Sequence, residues 1–250
     1  MTSTQLETAL PLLFSQYAYN GYYTSKSYQP KFIRDFEQII LGEILALSSN
    51  FYSPVILDVG CGTGTLLDKL KKQDESLDCV GIDIAKGMIE IAKATTHPGI
   101  TYIVADAEDI PEDLHNSAHV VVCKNSFYFL NPERAIEQFS KALVLGGHLA
   151  LTVLYEDSNM NRLYAQGLFD VLVRPFIEFI QGDSTASNIL QAHTSLSTFR
   201  YEMKVRKLMR DPISKDALVS ILANNALQIE RTVDALYANT RYLVLAKKKR

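Results

Sequence analysis

The stretch LDVGCGTG, Leu57 to Gly64, constrains this chain more than any other, because it sets three glycines within five positions directly behind the apolar run VILDV. Glycine loses more backbone freedom on folding than any other residue, so such a cluster marks a sharp turn or a close approach to the backbone. The glycines stand at 60, 62 and 64, whereas the dinucleotide fingerprint G-x-G-x-x-G needs its third glycine at the position of Thr65. The segment is therefore a near miss for a dinucleotide loop. A continuous β-rich run, a glycine turn and the helical stretch TLLDKLKK still make it the opening of a β-α unit, where open parallel sheets bind ligands beyond the strand ends.

The elements that follow keep this rhythm. DCVGID (78–83), TYIVAD (101–106), HVVVC (119–123) and HLALTVLY (148–155) read as strands, with AKGMIEIAKAT as a helix between the first two. Asn131-Pro132-Glu133 combines a capping side chain, a first-turn proline and an acid, and so starts a helix. LQIERTV (227–233) and TRYLVLAKK (240–248) close the pattern as two further strands, joined by a turn near Ala238-Asn239, after the α/β pattern resumes over 212–225. Repeated β-α units imply right-handed crossovers. The expected class is α/β: a Rossmann-like, seven-stranded, mostly parallel sheet with helices on both faces. Phe32, Ile33, Phe36, Ile39, Ile40, Ile44 and Leu45 form a helical stripe ahead of it. The organisation reads as an N-terminal helical lid segment (1–50), a Rossmann-like core (51–156), an inserted helical cap (157–211) and a C-terminal completion of the sheet (212–250). Pro175 is expected to bend the cap's apolar stripe.

Net charge is -3, which gives no basic excess for a nucleic-acid surface. Lys247 to Arg250 is expected to be a solvated basic tail. Three cysteines without a C-x-x-C pair argue against a disulfide framework and against zinc, and suit a reducing, cytoplasmic setting. The first residues lack a basic leader before their apolar stretch, so no signal peptide is expected. No apolar run approaches the ~18 residues of a membrane span.

VILDVGCGTG resembles the first motif of class I S-adenosylmethionine-dependent methyltransferases, and the elements over about 55 to 155 follow in that family's order. The resemblance implies S-adenosyl-L-methionine as cofactor. Gly60, Gly62 and Gly64 would let backbone pass against its methionine part, and Asp58 would stand near its ammonium or sulfonium. Asp83, closing the second strand about 20 residues past the loop, suits both ribose hydroxyls, as an acid does in dinucleotide folds. Ile84 and Met88 would pack on the adenine, Asp106 would accept from its amino group, and the Ala107 N–H would meet a ring nitrogen. Cys61 and Asn125 complete the implied cofactor-binding set.

Asn125-Ser126-Phe127-Tyr128 keeps the ends of the Asn/Asp-Pro-Pro-Tyr/Phe motif of amino-methyltransferases but lacks both prolines. Lys124 and Asn125 stand where catechol-type relatives need acids, so no metal is expected. Leu145 replaces the usual proline before Gly146-Gly147, a change expected to alter the turn alone. Tyr128 and, in the cap, His193 are the candidates for catalysis. His148 is expected in the glycine turn, away from the site, and His97, His115 and His119 at the opposite strand ends. Tyr22 and Tyr23, beside Gly21, are candidate lid residues, since tyrosine offers an apolar ring with a polar tip. Phe176 and Phe179 are candidates for an acceptor pocket roofed by the cap.

The reaction implied is methyl transfer by in-line displacement to a small, fairly apolar metabolite, at an O, N or C acceptor, by a monomer or homodimer. An RNA or protein methyltransferase, and a non-catalytic subunit that keeps the fold, are the alternatives. Acidic charge counts against RNA, and the intact Asp58, Asp83 and Asp106 against a silent module.

Overall fold

The computed structural model describes residues 11, 14, 15, 31–156, 209–236 and 240–250. Of the expected cap (157–211), residues 157–208, with His193, Phe176, Phe179 and Pro175, lie outside the described residues, as do Tyr22, Tyr23 and the expected turn at Ala238-Asn239.

Helix α1 (Lys31–Ser48) precedes strand β1 (Val55–Val59), which leads into α2 (Thr65–Gln73), β2 (Asp78–Asp83), α3 (Lys86–Thr95) and β3 (Ile100–Val104). Strand β4 (Ala118–Cys123), α4 (Pro132–Ala142) and β5 (Leu143–Leu154) come next, then α5 (Lys215–Asn224), β6 (Leu227–Ala235) and β7 (Arg241–Lys248). The seven strands lie in the order β3-β2-β1-β4-β5-β7-β6. Pairs from β3 to β5 are parallel, whereas β7 runs antiparallel to both β5 and β6. The order reverses between β1 and β4, so a crevice opens beyond their carboxyl ends.

Both faces of the sheet are covered, which is why β1 reads as apolar at every position but Asp58. On one face Phe36, Ile40, Leu41 and Ile44 of α1 pack with Leu67 and Leu70 of α2 against Ile56, Val120 and Val122. On the other, Ile136 and Phe139 of α4 and Leu218 and Leu222 of α5 pack against Leu57, Val121, Leu149 and Val244. Each such side chain contributes about 1.5–3 kcal/mol on full burial. As its sequence requires, α4 is capped by the Asn131 carboxamide, which accepts from the Arg134 N–H at 3.0 Å.

Three local expectations need correction. Strand β5 begins at Leu143, directly after α4, so Gly146-Gly147 lies inside a strand. The pairing with β4 shifts register between Ala118 and Val120, and this irregularity absorbs Gly146 at φ 79°. His148 is consequently a buried strand residue, its Nε2 3.4 Å from Glu230 and its ring near Phe51. Finally, the basic run is not simply a solvated tail. Lys248 belongs to β7, and its Nζ donates to the Ser140 and Leu143 carbonyls at 2.6 and 2.8 Å, covering acceptors that the end of α4 leaves open.

Candidate functional site

The glycine loop turns at the carboxyl end of β1, where the Gly60 and Cys61 N–H groups both donate to the Ile82 carbonyl, at 2.8 and 3.0 Å. Its glycines serve different ends. A Cβ on Gly60 would fall 2.4 Å from Ser126 Oγ, and one on Gly64 would fall 2.0 Å from the Tyr102 hydroxyl. A Cβ on Gly62 would meet nothing within 4 Å, and that residue holds φ at +57°. So side chains of the protein fill the space at Gly60 and Gly64, and among the described residues nothing fills it at Gly62. Cys61 also braces the loop: its thiol lies over Gly81 and Tyr102, and its carbonyl accepts from the Gly64 N–H at 3.0 Å. Burial raises that thiol well above its ordinary range.

Asp83 ties this loop to the end of β2. Its Oδ2 accepts from the Gly62 N–H at 2.9 Å and its Oδ1 from the Ala85 N–H at 2.8 Å. Burial pushes its carboxyl up while these two N–H groups pull it down, with a net rise. A carboxylate has about four lone-pair sites, so two remain for a diol. Asp83→Ala is therefore expected to cost stability as well as ligand affinity. Hydrogen bonds to a charged group are worth about 1.5–3 kcal/mol each, so a melting scan should show a clear drop and a titration a loss on the order of a hundredfold. Unchanged melting together with affinity within about threefold of wild type would rule out both roles.

Asp58 is 2% exposed, and its Oδ1 has no hydrogen-bond partner among the described residues. Burial pushes its carboxyl up to about 7, a rise that Lys124 opposes and Asp83 adds to. An orphaned buried acceptor is costly unless a donor arrives. Asp58 sits one residue before the end of β1, under the loop in which Gly62 faces open space. A ligand ammonium fits that combination of negative charge and unfilled acceptor.

Two residues near it were not singled out as site residues in the sequence. Lys124, just past β4, lies with its Nζ 3.4 Å from Glu37 Oε1 of α1, and Glu37 also pairs with Lys69. Burial alone would raise the Glu37 carboxyl, but Lys124 and Lys69 outweigh it and hold it below its ordinary value. Glu37 occupies the polar side of an amphipathic helix, and nothing in a single sequence marks it for a site 87 residues away.

Past β4, Asn125 adopts φ 62°, its N–H donating to Thr152 Oγ1 at 3.0 Å, and its buried Oδ1 has no partner among the described residues. A short 3-10 turn, Phe127–Phe129, carries Tyr128. The Tyr128 ring lies 5.4 Å from the Arg241 guanidinium, and its hydroxyl accepts from Arg241 Nη2 at 3.4 Å. On the β2 side Ile84 is 38% exposed, an open apolar surface, whereas Met88 is 2% exposed and already covered. Asp106 is exposed, its Oδ1 accepting from the Glu108 N–H at 2.9 Å, and Ala107 packs into the core beside it. The N-terminal segment reaches both sides of this edge: Ser15 Oγ accepts from the Gly87 N–H at 3.1 Å, and the Phe14 ring meets Phe129 edge-on at 5.5 Å. Tyrosine density drew attention to Tyr22 and Tyr23, and the single residues Phe14 and Ser15 carried no such signal. Among the described residues no group of three or more His, Cys, Asp or Glu could hold a metal ion. Nor is any helix among them long and apolar enough to cross a membrane.

Residues 56–147 match a family model described as a methyltransferase domain. An uncharacterized methyltransferase of Mycobacterium tuberculosis is 33% identical over 96 residues, which cover 38% of this chain and 38% of that protein. The ubiquinone biosynthesis O-methyltransferase of Aliivibrio fischeri is 28% identical over 118 residues, covering 46% of this chain and 50% of the relative. The chain thus spans half or less of the length of these curated relatives. Over nearly its whole length it shares a fold with the TehB-like SAM-dependent methyltransferase of Corynebacterium glutamicum, with a TM-score of 0.56 at 15% identity, covering 97% of this chain and 100% of that one.

Proposed function

We propose, from the match of residues 56–147 to a family model described as a methyltransferase domain, that this chain is a class I S-adenosylmethionine-dependent methyltransferase that binds S-adenosyl-L-methionine and transfers its methyl group to a small-molecule acceptor. The observation that carries the cofactor assignment is the buried Asp58 Oδ1, an acceptor with no donor among the described residues, beneath a loop open at Gly62. When bound, the cofactor supplies a methyl group already activated on a sulfonium.

The chain's own residues then have distinct tasks. Asp58 holds the ammonium end, and Asp83 turns its two unused lone pairs to the ribose hydroxyls while keeping the loop in place. Ile84 packs against the adenine, with Asp106 and the Ala107 N–H meeting its polar edge. Asn125 faces the cofactor from the end of β4, and Tyr128 touches the acceptor. Cys61 supports the loop. His193, Tyr22, Tyr23, Phe176 and Phe179 are retained as acceptor-side and lid candidates. Aligning the acceptor in line with the S–C bond and excluding water is the main catalytic task, and positioning of this sort supplies several kcal/mol. A base is needed only where the attacking atom carries a proton it would not otherwise lose.

Calorimetry tests the cofactor assignment directly. The protein is expected to bind S-adenosylmethionine and S-adenosylhomocysteine and to bind NAD weakly or not at all. Tight NAD binding with no heat from S-adenosylhomocysteine would overturn it.

A further inference from the structure

Lys124 stands where two strands and two helices meet. Strands β1 and β4 pair so that Asp58 lies opposite Val122. Side chains alternate between the two faces of a sheet. Ile56 and Val122 belong to the core beneath α1 and α2, whereas Leu57, Val59 and Cys123 belong to the opposite core. Asp58 therefore lies on the α1 face, and the contact with Glu37 places Lys124 there too, as its diagonal neighbour on the adjacent strand. From the helices above, Glu37 of α1 pairs with Lys124 at 3.4 Å and also with Lys69 of α2. The side chains of Lys124 and Glu37 are 17% and 13% exposed, so salt screens them little. The result is a row of alternating charges: Asp58, Lys124, Glu37, Lys69. Yet Asp58 Oδ1 has no hydrogen-bond partner among the described residues, so it takes no donor from Lys124.

We propose that Lys124 is a positioning residue of the cofactor site, held by Glu37 where its charge supports the Asp58 carboxylate without occupying Oδ1, the acceptor for the ligand ammonium. This deepens the methyltransferase reading and rests on it. A cation near a buried carboxylate favours the ionised form that a ligand ammonium needs. Direct contact would defeat the purpose, since a paired Lys124 would fill the very acceptor that the ligand uses. Glu37 prevents this by competing for the Lys124 ammonium, and Lys69 balances the charge of Glu37. Among the described residues, the other titratable groups coupled to Asp58 are acidic or neutral. Asp83 at the end of β2 adds negative charge. The Cys61, Cys79 and Cys123 thiols and the Tyr102 hydroxyl stay protonated, because burial raises each of them. The support that Asp58 receives against burial therefore comes from Lys124.

The test is the pH dependence of S-adenosylhomocysteine binding to the full chain, followed by calorimetry between about pH 6 and 8.5. Affinities are taken as the ratio of variant to wild type, in which the ligand's own titration cancels. Lys124→Met keeps the stem and removes the charge, and should move the midpoint of the profile up by about one unit. Its affinity should then be about tenfold below wild type at pH 6 and within about threefold at pH 8.5. Lys124→Arg should restore the wild-type profile. Glu37→Gln releases Lys124 towards Asp58, so it should move the midpoint down and weaken binding at least about tenfold at pH 8.5. That variant also covers the case in which Lys124→Met does not fold. A lysine that merely anchored α1 would give one ratio at every pH. That result, or an unmoved midpoint in both variants, overturns the proposal. A ligand-free measurement keeps it apart from the methyltransferase reading. At pH 8, Asp58→Asn should raise the melting temperature more in the Lys124→Met background than in wild type, because the ionised Asp58 there has lost its cation. Equal increments overturn the proposal even where S-adenosylhomocysteine binds. Absence of S-adenosylhomocysteine binding by wild type at every pH overturns the methyltransferase reading, and the proposal with it, whatever the melting shows.

Discussion

Asp58→Asn is expected to cost at least about a hundredfold in affinity for S-adenosylmethionine while raising the melting temperature of the ligand-free protein at pH 8. Removing one partner of a buried ion pair costs about 3–5 kcal/mol, and ~1.4 kcal/mol is tenfold. The stabilisation follows from the pKa. Burial lifts the Asp58 carboxyl from its ordinary 3.8 to about 7 in the folded chain. Between those values the folded state binds more protons than the unfolded one, so this group's contribution to stability falls as pH rises through that window. An asparagine has no such window, and the variant should gain most over wild type above pH 7. The same shift sets the pH dependence of ligand binding in wild type. A ligand ammonium needs Asp58 ionised, so affinity should be full above about 7 and fall towards tenfold per pH unit below it. Thermal scans and calorimetry at pH 6 and 8 measure both. An affinity within about threefold of wild type at pH 8, or the same pH profile in wild type and variant, would show that Asp58 does not meet the cationic ligand.

Much of this architecture was legible because the deciding signals were local. VILDV is apolar at every position except Asp58, so a strand buried on both faces was the direct reading, and the one polar residue pointed to a site. Asn131-Pro132-Glu133 specified a helix start by backbone chemistry alone. The Gly146-Gly147 segment misled because a glycine pair suits a turn and a strand irregularity equally. The choice rests with the His119 carbonyl, which a Cβ on Gly147 would meet at 3.1 Å, a contact across two strands. Lys248 misled for a related reason, since a lysine near a chain end usually reaches water, and here the end of α4 lies within its length.

The site divided along the same line. Asp58, Asp83 and Asp106 could be named because strand ends can be counted from the sequence. Lys124 beside Asp58, and Glu37 that pairs with Lys124, could not, because they are brought together by the β4 turn and by α1 from distant parts of the chain. The arginine in TRYLVLAKK reads as an ordinary edge residue until β7 is known to lie against β5 in reverse.

Gly64→Ala and Gly62→Ala should separate the structural and ligand-facing halves of the glycine loop. At Gly64 φ is +73°, which costs an alanine about 1–2 kcal/mol. Its Cβ would also lie 2.0 Å from the Tyr102 hydroxyl and 2.6 Å from the ring. Tyr102 is 4% exposed, wedged between the loop and β2, and its hydroxyl accepts from Thr96 Oγ1 at 3.1 Å, so it has little room to withdraw. Overpacking of this kind adds about 1–3 kcal/mol. With roughly 2–4 °C lost per kcal/mol in a chain of this size, Gly64→Ala should melt on the order of 10 °C lower. Gly62→Ala meets no atom within 4 Å among the described residues and carries only the backbone cost at φ +57°, a shift of about 2–8 °C. Its methyl group, however, projects into open space, where it should weaken S-adenosylhomocysteine binding by at least about tenfold. Combining Gly64→Ala with Tyr102→Ala should recover the overpacking part of the loss and leave the backbone part, after allowing for Tyr102→Ala alone. Equal melting of the two single variants, or full ligand affinity in Gly62→Ala, would mean that the loop does not divide in this way.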